Sequence, residues 1–370
     1  MRTSRVSELV CLTALFSGFC LIAQAQTWTY TGSMASRRAD HTATLLSSGE
    51  VMVAGGEYKG SYGLSTAELY NPSTGTFSST GSLKTGRQLH TATLLNNGEV
   101  LIAGGEFSQY SPMGSTYVCL SSAELYNPST GTFALTGSMQ TARCTNFTAT
   151  LLEDGRVLIV GGYNGNGIVS SAELYDPTTG AFSSTGSPQV ARSAHTATLL
   201  QNGEVLIAGG GNATTDFTSA ELYNPSTGKF ALTGSMKTAR VSFTGTLLPS
   251  GNVLVAGGEN TQTLRIATAE LYNPSTGKWT STGSLHTGRF SQTATLLHDG
   301  QILIAAGNLS PTAELYDPAS GTFTVTASLP TSVQNSAAVL LSDGAVLLPG
   351  GYNNAGQEGL AWLNTALLYH

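Results

Sequence analysis

From Trp28 to Tyr369 the chain is a succession of short apolar runs separated by polar turns. Runs such as Val100-Leu101-Ile102-Ala103 are apolar at every position. Continuous runs of this length predict strands covered on both faces. Each is preceded by a strand of the type His-Thr-Ala-Thr-Leu-Leu (His41–Leu46) and a tight turn. That turn is Asn-Gly or Asp-Gly in most copies: Asn97-Gly98, Asp154-Gly155, Asn202-Gly203, Asp299-Gly300 and Asp343-Gly344. Such pairs predict a two-residue type I′ hairpin. A Gly-Gly pair follows, then a strand Ala-Glu-Leu-Tyr, then an Asn-Pro or Asp-Pro turn with Gly (Asn71–Gly75), then a strand carrying an aromatic and ending at Thr-Gly-Ser. Pro and Gly at those places close a turn. No segment has a helical period, so the reading is all-β, in units of four strands named a to d.

The unit repeats seven times. The Gly-Gly mark falls at Gly55, Gly104, Gly161, Gly209, Gly257, Ala306 (Ala-Gly) and Gly350, spaced by 49, 57, 48, 48, 49 and 44 residues. Ala-Glu-Leu-Tyr begins at Ala67, Ala123, Ala172, Ala220, Ala269 and Ala313, and a degraded copy is Ala366–Tyr369. Seven residues after each of the first six tyrosines stands Phe77, Phe133, Phe182, Phe230, Trp279 or Phe323. A fixed period of this size means a solenoid, an array or a propeller. The pattern of Gly-Gly, Tyr, aromatic and Arg resembles the kelch repeat over the whole chain after residue 25. That resemblance implies a seven-bladed β-propeller of four-stranded kelch blades. Trp28–Thr31 reads as a strand d without partners before it, and the seventh unit has a, b and c only. The N-terminal strand is therefore expected to complete blade 7 and close the ring.

Charge is sparse: 10% of residues are charged, with a formal net charge of −6. Acidic balance and scattered cations exclude nucleic acid as the main partner. Residues 1–25 read as a secretory signal peptide, with Arg2 and Arg5, an apolar run Leu9–Ala23, and a small-residue site at Ala23-Gln24-Ala25. Cleavage after Ala25 leaves a propeller over residues 26–370, secreted or periplasmic, with no membrane insertion and a monomer expected. It also leaves Cys119 and Cys144, in the longest b–c loop and in a d–a connection one residue longer than its equivalents. Both irregularities fall on one face of blade 2, which predicts a disulfide in an oxidising compartment.

Arginine recurs just before strand a (Arg38, Arg87, Arg143, Arg192, Arg240, Arg289) and glutamate in strand c (Glu68, Glu124, Glu173, Glu221, Glu270, Glu314). Unit 7 lacks both, having no Arg between Pro330 and Ala337 and Leu367 in the Glu position. Joint presence and joint absence predict an ion pair inside each blade. His41, His90 and His195 open strand a in three units, where the others have Phe147, Phe243, Gln292 and Ser336. Blades 1, 2 and 4 do not bring three imidazoles within metal-ligand reach, so neither a metal nor another cofactor is expected. The three remain candidate ligand contacts.

The b–c loops vary most and share a face with the d–a connections. They carry Tyr58, Tyr62, Phe107, Tyr110, Tyr117, Tyr163, Phe217, Tyr352 and Trp362. Variable loops on a rigid scaffold are where binding residues gather, and exposed Tyr and Trp suit sugar or protein contact. Glu57, Glu106 and Glu259 follow Gly-Gly on the same face and are candidates for acid–base work. The resemblance extends to galactose oxidase, whose propeller family implies a Cys-linked Tyr, a Tyr-His pair and a further His around copper. The only Tyr-His here is Tyr369-His370, in strand c and away from the loop face, so the copper ligands do not carry over. The sequence thus predicts a recognition module for an extracellular protein or glycan. A carbohydrate-active enzyme of oxidase, mutarotase or isomerase type, working at the channel mouth, is the alternative.

Overall fold

The computed structural model describes residues 26–59, 63–111, 114–307, 310–354 and 360–370. The segment 1–25 and Tyr62 lie outside them, as does the side chain of Tyr110. Among the described residues every regular element is a strand. Seven antiparallel four-stranded sheets form the blades of a propeller. Blade 1 is typical: Thr42–Leu45, Val51–Ala54, Ala67–Asn71 and Thr76–Ser79 run from the axis outwards. The second strand is buried at all four positions, as its unbroken apolar run requires.

Blade 7 takes its outer strand from the other end of the chain. Trp28–Ser33 pairs with Thr365–Tyr369, with Trp28 opposite Tyr369. The Trp28 indole donates to Ala327 O at 3.0 Å and its ring lies 5.1 Å from that of Tyr369. Thr27 and His370 exchange backbone hydrogen bonds. The ring therefore closes with all seven sheets complete.

Conserved spacing within the unit is explained by what the tyrosine touches. In blade 1, Tyr70 is fully buried, stacks on Phe77 at 4.9 Å, and bonds through its hydroxyl to Thr31 of blade 7 at 2.9 Å. The same contact to the preceding blade joins Thr80 to Tyr126, Thr136 to Tyr175, and on round to Thr326 and Tyr369. Each Thr-Gly-Ser thus fastens one blade to the next. Burying a tyrosine is favourable only when its O–H finds such a partner.

Two local expectations are corrected. The a–b turn is not a two-residue type I′ turn: Gly98 has φ +84°, while Asn97 is not in the left-handed region. Leu95 and Glu99 pair across a three-residue loop, Gly98 N donates to Leu95 O, and Asn97 Oδ1 accepts from Glu99 N at 3.0 Å. The Asn side chain thus holds a type I turn followed by a left-handed Gly, the next commonest hairpin solution. The b–c connections of blades 2 and 7 are also not plain loops. Glu106–Ser111 pairs with Gly114–Cys119, and Tyr352–Asn354 with Leu360–Trp362, as hairpins that extend above the blades.

Candidate ligand site at the axial mouth

Seven residues in the left-handed region, one from each d–a connection, ring the axis: Asp40, Leu89, Asn146, Ala194, Ser242, Ser291 and Asn335. Five of them donate a backbone N–H to the collar residue of the preceding blade. Leu89 N donates to Asp40 O, Asp40 N to Asn335 O, and Ala194 N to Asn146 O, each at 3.0 Å. Asp and Asn tolerate this conformation better than other L-residues, which accounts for their presence at three of the seven places. A cavity of about 270 Å³ opens within the collar, lined by Asn146, Ala194, Ser242 and Ser291 with Phe147, His195, Phe243 and Gln292 beneath them. Larger grooves, up to about 740 Å³, lie on the opposite face between the a–b and c–d turns of neighbouring blades. They are made of the repeated turn residues and recur between blades, so they carry no feature peculiar to one place.

Above the collar, the residue after each Gly-Gly pairs with the residue after the recurrent position before strand a: Ala39 with Glu57, Gln88 with Glu106, and Gln334 with Tyr352. These bridges put the b–c and d–a connections on one face and bring three carboxyl groups into one sector, over blades 1 and 2. Asp40 Oδ1 accepts from Asn335 Nδ2 at 2.6 Å, Glu57 Oε1 from the Trp362 indole at 3.3 Å, and Glu106 Oε1 from Gln88 Nε2 at 3.2 Å. Burial, then the negative charges of Glu57 and Glu106, push the Asp40 carboxyl up to about 7 against the opposing hydrogen bond from Asn335. Burial and Glu57 raise Glu106 as well. The Tyr352 hydroxyl is raised by burial, then by Asp40 and Glu57.

Aromatic rings border this sector. Trp362 meets Tyr58 edge-on at 6.1 Å and Tyr352 at 6.4 Å. Trp28 and Trp279 are buried, leaving Trp362 as the half-buried indole. The other aromatics are dispersed. Phe217 packs over the Arg192 guanidinium at 5.6 Å, Tyr163 bonds Gly165 O, Phe107 is half-buried, and Tyr117 is exposed. Glu259 stands away from the cluster, its carboxyl raised by burial and by Asp216.

The three strand-a histidines are placed as wedges. Each is about 6% exposed, and a Cβ built on the first Gly of the preceding blade would meet its ring: His41 at Gly350, His90 at Gly55 and His195 at Gly161. Phe147 and Phe243 fill the same place at Gly104 and Gly209, and Gln292 does so at Gly257. His90 and His195 bond Thr42 and Thr148 of the preceding blade. Burial, then the nearby arginines, lowers His41 and His195 to about 3 and holds His90 well below its ordinary value, so all three are neutral. Among the described residues no three His, Cys, Asp or Glu side chains converge as metal ligands.

Beneath the mouth, each of the six arginines is fully buried and paired with its glutamate: Arg38 with Glu68 at 2.8 Å, Arg87 with Glu124 at 2.9 Å, Arg192 with Glu221 at 2.8 Å. The glutamate also accepts two backbone N–H groups of the d–a connection, from Ala35 and Ser36 in blade 1. These pairs orient the loops that carry the site and do not face the mouth themselves. Cys119 and Cys144 are bonded to each other. Cys119 lies opposite Glu106 in the blade 2 hairpin, so the bridge fixes the strand that carries that carboxylate.

Sequence reasoning did not single out Asp40, Gln88 or Asn335. For Asp40 and Asn335 the signal is positional: both stand two residues after the place of the recurrent Arg, where the backbone turns left-handed.

The Kelch motif family matches residues 146–189, which span blade 3. No curated protein matches the chain. Among solved structures, it is similar to a novel fungal alcohol oxidase of the AA5 family, in complex with copper. The TM-score is 0.74 at 17% identity, over 94% of this chain and 76% of that one. Likeness at this identity is one of fold. Among the described residues the one Tyr-His pair is not brought to the loop face: Tyr369 is buried with its hydroxyl on Thr326, and His370 lies at the far end of strand c beside Thr29. The chain is a seven-bladed β-propeller whose third blade matches the Kelch motif.

Proposed function

We propose that this propeller is an exported recognition module that holds a glycan at its axial mouth. The observation that carries the reading is a break in symmetry. Six Arg–Glu pairs and seven Thr–Tyr latches repeat around the ring, but the carboxyl cluster of Asp40, Glu57 and Glu106 and the rings of Trp362, Tyr58 and Tyr352 fall together over blades 7, 1 and 2. Indole and phenol rings offer flat apolar area to a sugar face, while fixed acceptors beside them take its hydroxyl donors. Loops on a rigid scaffold are the usual place for such a site. Export through residues 1–25 fits an extracellular ligand and a bridged Cys119–Cys144.

A glycan array probed with protein lacking residues 1–25, followed by intrinsic fluorescence titration of each hit, tests the proposal. Hits are expected to change the emission of Trp362, and Trp362→Phe should abolish both the signal and the binding. An array without hits, or binding that survives Trp362→Phe unchanged, would refute it.

A further inference from the structure

We propose that the mouth selects a glycan bearing free primary amines, that is, a polymer or oligomer of unacetylated hexosamine. The inference rests on the glycan reading above and adds the chemistry of the ligand. It begins with a charge imbalance. Asp40, Glu57 and Glu106 sense one another electrostatically, yet among the described residues none of them forms an ion pair. The segments 60–62, 112–113, 308–309 and 355–359 contain no Lys or Arg that could supply one. Lys59, two residues after Glu57, lies over the Tyr58 ring at 5.5 Å, and Arg37, three residues before Asp40, is exposed and pairs with none of the three. The buried Arg38 and Arg87 are taken up by Glu68 and Glu124.

A second observation comes from Gln88. Its side chain is turned onto the cluster, with Nε2 on Glu106, and the residue is only 5% exposed. Its Oε1 has no hydrogen-bond partner among the described residues. A buried amide oxygen left in that state costs free energy, and native structures rarely keep one without a ligand or water to fill it. Acceptors at the mouth still exceed donors: three carboxyl groups and the Gln88 oxygen stand against the five N–H groups of Asn335 Nδ2, Trp362 Nε1 and Gln88 Nε2, three of which are already on carboxyl oxygens. An ammonium group carries three donors, no acceptor and one positive charge, which answers both the hydrogen-bond deficit and the charge. A neutral hydroxyl answers only part of the first, and an acidic sugar is repelled.

The arrangement favours an amino sugar over a metal ion or a lysine side chain. The carboxylates are spread rather than converged, and no metal-ligating group of three exists among the described residues. Glu57 and Glu106 hold the same place in adjacent blades, so two negative charges stand on neighbouring blades. A chain with an amine on every sugar can meet both, whereas one lysine meets a single one. The half-buried Trp362 ring, with Tyr58 edge-on and Tyr352 tilted against it, is the flat surface a pyranose would stack on, and the indole attracts the charge by cation–π interaction.

Calorimetry decides the matter with three probes on the protein lacking residues 1–25: a β-1,4-linked glucosamine tetramer, its fully N-acetylated counterpart and the β-1,4-linked glucose tetramer. The glucosamine tetramer is expected to bind at least about tenfold more tightly than either, and to lose most of that advantage in high salt. Glu57→Gln with Glu106→Gln should remove the preference, with circular dichroism and melting temperature showing the fold retained; both substitutions keep the acceptors of the Trp362 and Gln88 bonds. Equal binding of all three tetramers would overturn the amine inference and leave the glycan reading standing. Failure of all three would overturn both, as would binding of a lysine amide in their absence.

Discussion

Replacing Glu221 by Leu tests what the recurrent ion pair does. Arg192 is fully buried; Nη1 donates to Gly209 O at 2.7 Å and Ser219 O at 3.1 Å, and Nη2 to Glu221 Oε1 at 2.8 Å. Glu221 in turn accepts from Gln189 N at 2.8 Å and Val190 N at 3.3 Å. Leucine there strands a buried guanidinium and two amides. Breaking a buried pair from one side costs about 3–5 kcal/mol. Blade 7 shows the alternative solution. Val333 occupies the Arg position, Leu367 the Glu position, and Pro330, which has no N–H, the place of Gln189. Val333 and Leu367 are buried in one apolar cluster. The triple variant Gln189→Pro, Arg192→Val, Glu221→Leu copies that solution into blade 4. It should recover most of the loss, since replacing a buried pair by apolar groups is close to neutral. Urea unfolding of wild type, the single variants and the triple variant measures the coupling. A triple variant as unstable as Glu221→Leu, or a single variant within about 0.5 kcal/mol of wild type, would refute the argument.

Three strand-a histidines are held well below the 6.5 of the unfolded chain, His41 and His195 at about 3, and contribute stability that is present above pH 6.5 and lost as the pH falls below it. Unfolding free energy should fall below pH 6.5 by up to about 1.4 kcal/mol per pH unit per histidine, read as falling melting temperatures. His41→Gln, copying Gln292, should flatten that slope. Asp40 acts in the opposite sense: with its carboxyl raised to about 7, its contribution is full below pH 4 and lost as the pH rises to 7. Asp40→Asn should therefore stabilise the protein at pH 8 by a few kcal/mol, seen in the same melts. Starting the chain after Thr31 removes the outer strand of blade 7, and should lower the melting point sharply and expose the edge at Tyr369 to proteolysis. Cys119→Ser should cost about 3 kcal/mol for a loop of 25 residues, read as a reductant-insensitive loss of urea resistance.

The blade count, the four strands per blade and the closing strand were legible because each rests on a repeated physical need. The tyrosine must be buried, its hydroxyl satisfied and its neighbour approached closely. Gly55 and Gly56 announce that approach, since a Cβ would meet Arg87 O at 2.6 Å and Ala39 O at 2.5 Å respectively. The a–b turn was misread because Asn-Gly suits two hairpins, and the choice between them lies in the Asn side chain's bond to the amide two residues on. Of the mouth, Glu57, Glu106, Tyr58, Tyr352 and Trp362 could be named from the sequence, whereas Asp40, Gln88 and Asn335 could not. These three gain their character from the ring: Asp40 meets Asn335 across 295 positions of sequence, a distance that only closure removes.

That closure also explains why the site can be asymmetric at all. Blades 1 to 6 are each held by an Arg–Glu pair below the mouth, and every blade by a Thr–Tyr latch toward the far face, neither of which uses a residue that faces the axis. Collar and b–c positions are thereby released from packing, and they differ from blade to blade: Glu57, Glu106, Tyr163, Gly211, Glu259 and Tyr352 all stand after the same pair of glycines. Blade 7 is the one that dispenses with the ion pair, and it contributes Tyr352, Trp362 and Asn335 to the cluster. Its hairpin, Tyr352–Asn354 with Leu360–Trp362, is seated on blade 1 by the indole bond to Glu57. Ligand contacts and ring closure thus meet at the same junction. A ligand bridging Trp362 to Glu57 would tie blade 7 to blade 1, so saturating ligand should raise the unfolding midpoint, as binding to the native state alone requires. The gain should shrink when Trp28 is replaced by Ala, because the bound junction then includes a blade whose outer strand is already loosened.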